Sequence, residues 1–89
     1  MGTQVQAPTW TFGDRVRKAR RSAGLSQAKL AEAVGASSAT SVNNWENGTS
    51  HPRHMIETAE AIARVTGVPV EWLLLGRQEP AGYRSVRVA

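Results

Sequence analysis

The 89-residue sequence contains no cysteine, which excludes a disulfide scaffold, a cysteine zinc finger and an iron–sulfur centre. A 9.6 kDa chain without such staples must rely on its own packed core or on a partner. Long apolar runs are missing too. The longest, residues 72–75, is far shorter than the roughly 20 residues of a membrane-spanning helix. The first residues show no basic-then-apolar signal pattern, so a cytoplasmic protein with no membrane span is expected, and binding to a membrane surface is not expected either because the apolar helix faces are consumed by the core. Acidic residues are scarce: 7 Asp+Glu stand against 11 Lys+Arg, for a net charge of +4 and a pI near 10.7. That balance points to polyanionic partners, with nucleic acid first and an anionic membrane surface second.

Catalytic constellations are also missing. No nucleophile–base pair, paired carboxylates or phosphate-cradling glycine loop stands out, so the chain is read as a non-enzyme. His51 and His54 are three residues apart, but nothing nearby completes a metal site. No metal, cofactor or small-molecule ligand is expected.

What is present is helical periodicity punctuated by glycine. Residues 1–10 lack charged side chains and read as a loose lead-in in which Trp10 can dock on the domain. Phe12, Val16, Ala19 and Ala23 recur at helical spacing up to Gly24, with basic residues largely on the other faces. A second helix opens at Ser26, a natural cap, with Leu30, Ala31 and Val34 as its apolar stripe before Gly35. A third is expected over residues 40–47, with Val42 and Trp45 inward and Gly48 as its stop. Pro52 suits the first turn of a fourth helix, whose apolar face is Met55, Ile56, Ala59, Ile62 and Ala63, up to Gly67. Val68-Pro69 starts a short fifth helix with Trp72 and Leu73 inward, closed by Gly76. Residues 77–89 read as a tail. The expected fold is an all-α globule of five short helices over residues 11–76.

Helices two and three, joined by a short turn, have the layout of a helix-turn-helix. Thr40, Ser41, Asn43 and Asn44 offer hydrogen-bonding groups of little bulk, fit for a major groove about 12 Å wide. An asparagine amide can bond both N6 and N7 of adenine. Three blocks then carry a resemblance: Gly-Leu-Ser-Gln-x-x-Leu-Ala (24–31), Val-Asn-Asn-Trp-Glu-Asn-Gly (42–48) and Gly-Val-Pro-Val-Glu-Trp-Leu-Leu-Leu-Gly (67–76). In this order they resemble the Cro/C1-type helix-turn-helix family, with phage repressors closest.

The resemblance implies a lambda-repressor-like domain and a transcriptional regulator, of repressor type, that binds an inverted-repeat operator in double-stranded DNA as a homodimer. It assigns base reading to Thr40 and Asn44, with Ala39 at a third such position and able only to touch a thymine methyl. Asn43 joins this set by its chemistry. Gln27 is implied to bond a phosphate and brace the recognition helix, and Asn47 and Arg53 to meet the backbone. Lys29, Ser38 and Ser41 complete the expected phosphate contacts. Arg20 and Glu46 match a buried ion pair. Of the five basic residues in the first helix, one or two are expected to touch phosphate and the others to do nothing specific. For dimerisation, Leu74 and Leu75 exceed what one inner face can bury, and Val86 and Val88 could clasp across the axis.

Two features depart from the pattern. Six residues separate Gly35 from Val42 where five are usual, which blurs the register of residues 37–40, and Thr66 replaces an apolar residue. The alternative reading is an antitoxin-like or adaptor module acting mainly through protein binding. The neutral-polar outward face of the third helix favours DNA.

Overall fold

The computed structural model describes residues 10–76. Five α-helices follow one another: α1 (Phe12–Ser22), α2 (Gln27–Val34), α3 (Ala39–Asn47), α4 (Met55–Thr66) and α5 (Val70–Leu75). No strand occurs among the described residues. The fold of the described residues is all-α.

Local chemistry sets most of the boundaries. Thr11 and Asp14 form a capping box on α1: the Asp14 N–H donates to Thr11 Oγ1 at 3.0 Å, and the Thr11 N–H donates to Asp14 Oδ2 at 2.9 Å. Two otherwise unpaired helix-end donors are satisfied together. Ser26 caps α2 by accepting from the Lys29 N–H, and Ser38 caps α3 by accepting from the Thr40 N–H. Gly35 and Gly48 end α2 and α3 with φ of 78°, a left-handed conformation that disfavours any side chain.

Val16, Ala19, Leu30, Ala31, Val42, Trp45, Ile62 and Leu73 form one buried cluster drawn from all five helices. Gly13 sets the approach of α1 to α3. A Cβ there would lie 2.3 Å from the Trp45 carbonyl oxygen and 2.7 Å from that of Glu46. Backbone therefore packs on backbone at this crossing.

Several expectations need correction. α3 begins at Ala39, one residue before the expected start, because Ser38 rather than a later residue caps it. α4 begins at Met55 instead of at Pro52, which is buried in the preceding loop. α5 begins at Val70 with Pro69 as its cap residue. Ala23 is the exposed C-cap of α1, not part of its apolar face. Ile56 is 54% exposed, since α4 turns its Ala59–Ile62 stripe to the core and leaves the start of the helix outside. Trp72 is only half-buried. Its ring meets that of Trp10 at a centroid distance of 6.5 Å, so Trp10 does dock on the domain. Thr66, the polar replacement, donates its hydroxyl to the Ile62 carbonyl at 2.7 Å and so needs no other partner. The segment 77–89, including Val86 and Val88, lies outside the described residues, as does the lead-in up to residue 9.

Candidate nucleic-acid interface

α3 presents two faces of opposite character. Val42, Trp45 and Glu46 are buried, whereas Thr40, Asn43 and Asn47, spaced three and four apart, are exposed along one side. Ala39, Ser41 and Asn44 flank that side half-buried. The outward face therefore carries a hydroxyl and amides but no carboxylate.

The carboxylate of Glu46 is turned inward onto Arg20. Arg20 Nε donates to Glu46 Oε2 at 2.6 Å and Arg20 Nη2 donates to Oε1 at 3.1 Å, a two-pronged contact with both residues buried. Arg20 also donates to the Leu25 carbonyl at the start of the α1–α2 connection. Burial pushes the Glu46 carboxyl up, but hydrogen bonds from Arg20 and Gln27 and the positive charges of Arg20 and Arg17 outweigh it. The carboxyl lies below its ordinary value of 4.5 and is ionised at neutral pH. The pair thus ties α1 to α3 while hiding the only acidic side chain of α3.

Gln27, the first residue of α2, connects this ion pair to the surface. Its Nε2 donates to Glu46 Oε1 at 3.1 Å and to Asn43 Oδ1 at 3.2 Å. The bracing of α3 by Gln27 is therefore present in the geometry. In the turn, the Ser37 and Ser41 hydroxyls are 3.0 Å apart, which holds the longer loop against the first turn of α3.

Of the other expected contact groups, Lys29, Ser38 and Arg53 are exposed. A polar cleft of about 490 Å³ runs between the α2–α3 turn and the α3–α4 loop, lined among others by Ser41, Asn44, His51, Arg53 and His54. Among the described residues, no group of three or more His, Cys, Asp or Glu side chains is placed to hold a metal.

The basic residues of α1 depart from expectation. Arg15 donates to the carbonyls of Leu73 at 2.9 Å, Trp10 at 2.7 Å and Leu74 at 3.5 Å, and Arg17 donates to the Glu46 carbonyl at 3.3 Å. With Arg20, three of the five are engaged inside the protein, and Lys18 and Arg21 are left exposed. The reason is geometric: the C-terminal ends of α5 and α3 abut α1, and their unpaired carbonyls need donors. No local sequence signal marks Arg15 or Arg17 for this role. The Thr-x-x-Asp spacing of the α1 capping box, by contrast, is a signal that the sequence carries locally.

The helix-turn-helix family model matches residues 16–73. This chain belongs to the Cro/C1-type helix-turn-helix family. A crystal structure of the P22 c2 repressor protein in complex with synthetic operator 9T is similar to it, with a TM-score of 0.67 at 28% sequence identity. The match covers 78% of this chain and 100% of that one. The matched region contains α2 and α3, the two helices joined by the short turn. No helix among the described residues is long and apolar enough to cross a membrane.

Proposed function

We propose that this helix-turn-helix protein is a sequence-specific transcriptional regulator, of repressor type, that inserts α3 into the major groove of an inverted-repeat operator. The observation that carries this reading is the division of α3. Its acidic residue is buried on Arg20, and its outward side offers Thr40, Asn43 and Asn47, flanked by Ala39, Ser41 and Asn44. A carboxylate on that side would repel phosphate, whereas hydroxyls and amides can approach it and bond base edges. The likeness to a repressor solved on its operator supports the same assignment. Thr40, Asn43 and Asn44 read bases, Ala39 adds at most an apolar contact, and Ser38, Ser41, Asn47, Lys29 and Arg53 meet the backbone. The net charge of +4 supplies the sequence-independent attraction.

Selection from random double-stranded DNA at a fixed salt concentration tests the reading. A single enriched inverted repeat is expected. Recovery of unenriched sequence, with binding that vanishes at physiological salt, would overturn it.

A further inference from the structure

Both histidines of the chain, His51 and His54, lie in the loop between α3 and α4. Pro52 is buried among exposed neighbours, so the loop is pinned at its middle while His51, Arg53 and His54 stay outside. Backbone bonds fix its ends: the Thr49 and Ser50 N–H groups donate to the Asn44 carbonyl at 2.9 and 3.3 Å, and the Thr58 N–H donates to the His54 carbonyl at 2.9 Å. The two rings and Arg53 line the polar cleft together with Ser41 and Asn44 of α3, and among the described residues they are its only ionisable side chains. Of the charged residues on the flanking helices, Lys29 and Glu32 of α2, Glu46 of α3 and Glu57, Glu60 and Arg64 of α4 lie off the cleft. Both ion pairs among the described residues go to Glu46. No carboxylate lining the cleft therefore competes for either ring.

Histidine is the side chain that ordinarily changes charge between about pH 5 and 8. Carboxyls titrate below that range and lysine and arginine above it, and the chain has no cysteine. Apart from a terminal amine, the charge gained across the range is gained at this cleft, where two protonated rings would add to the +4 of the chain with neutral histidines. A phosphodiester stays anionic throughout.

We propose that the cleft seats a backbone phosphate of duplex DNA beside Arg53, and that protonation of His51 and His54 tightens the hold, so that DNA binding takes up protons and strengthens as pH falls through the histidine range. This rests on the DNA-binding function of α3 given above, since Ser41 and Asn44 join the cleft to that helix. A charged ring attracts the phosphate and a neutral one does not, so binding and proton uptake favour each other by equal factors. A backbone contact carries no sequence information, so all sequences gain alike.

The test measures affinity of the full chain for the selected operator and for a mixed-sequence duplex, at constant ionic strength, between about pH 5.5 and 7.5. The parent is compared with His51→Gln, His54→Gln and the double variant. This range lies above 4.5, so the Arg20–Glu46 pair stays ionised. The parent should bind both duplexes about tenfold more tightly at the acid end, about threefold for each histidine, the scale of a solvent-exposed ion pair. Its salt dependence should steepen there by about one counterion for each ring protonated. Each single variant should lose part of the pH response, and the double variant nearly all of it. A parent whose affinity is flat with pH, or a double variant that keeps the parent's response, overturns the inference. So does a pH response with no change in salt slope, because the protons then act elsewhere than on a phosphate contact.

Proton uptake is read directly by titration calorimetry at about pH 6.5 in two buffers of unequal ionisation heat. The parent should take up protons on binding and the double variant almost none; equal uptake by the two sinks the link. The mixed duplex keeps the two readings apart. A protein that selects no operator yet takes up protons on mixed sequence overturns the proposed function alone, whereas operator selection with a flat pH response overturns this inference alone.

Discussion

Glu46 is 4% exposed and Arg20 9%, so their contact sits where charge is expensive to strand. Replacing Glu46 by alanine leaves the Arg20 guanidinium buried without its carboxylate, at an expected cost of ~3–5 kcal/mol, against a total of about 5–15 kcal/mol for a typical domain. Urea unfolding of Glu46→Ala measures it, and a loss under about 1 kcal/mol would place the pair in the range of exposed ion pairs. The same carboxyl makes stability depend on pH. Its folded pKa is depressed below 4.5, so its contribution is present above that value and is lost as pH falls through the folded pKa. Asp14, lowered mainly by the hydrogen bond from the Thr11 backbone, acts in the same direction. Melting temperature should therefore fall as pH drops below about 4.5, and Glu46→Gln should flatten that fall. An identical acid profile in Glu46→Gln would show that the buried carboxylate is not its source.

At the scale of elements, the close approach of α1 to α3 depends on the absence of a side chain at Gly13. On an isolated helix alanine is favoured over glycine by about 1 kcal/mol. Here its Cβ would meet carbonyl oxygens belonging to backbone, which cannot swing aside. Gly13→Ala is expected to destabilise by ~1–3 kcal/mol, the range for overpacked cores, and to loosen the seat of α3. A gain in thermal stability for this variant would contradict the packing described. A different junction holds α5, a six-residue helix with no side-chain N-cap bond. Arg15 on α1 bonds its last carbonyls, so Arg15→Met should cost ~1.5–3 kcal/mol, as for hydrogen bonds from a charged donor. Hydrogen exchange should locate that loss at α5, whereas a loss spread evenly over the chain would argue against it.

For the whole molecule, one α3 in one groove engages only one half-site, so tight specific binding calls for two copies. Leu75, at the end of α5, is 64% exposed, and Trp10 beside Trp72 is 50% exposed. These apolar groups lie together at a groove shared with Arg15 and Lys18. The expected complex is a two-fold dimer with half-site centres ~10–10.5 base pairs apart, or a multiple of that. Mass measurement on the selected operator checks it: one chain per inverted repeat removes the dimer. The same measurement on a chain ending at Gly76 tests residues 77–89 as a dimerisation segment, and unchanged affinity would remove them from that role. At the backbone, Arg53→Ala should weaken all sequences alike and reduce the salt slope by about one counterion.

How much was legible follows from the range of each force. Helix caps and stops are local, so Ser26, Gly35, Gly48, Gly67 and Gly76 marked their boundaries in the sequence. The apolar stripes of α1–α3, Ala23 apart, likewise follow from 3.6-residue periodicity, and motif order was enough for the family. Pro52 misled because its fixed φ suits a loop as well as a first turn, and the next three residues were free to choose. The roles of Gly13, Arg15 and Arg17 and the hydrogen bonds of the Gln27 amide to Asn43 and Glu46 were decided only by the tertiary structure. Each depends on groups at least sixteen positions away: carbonyls at helix ends, or a carboxylate shared among several donors. A chain reports which donors it owns, but only packing decides which acceptors reach them first.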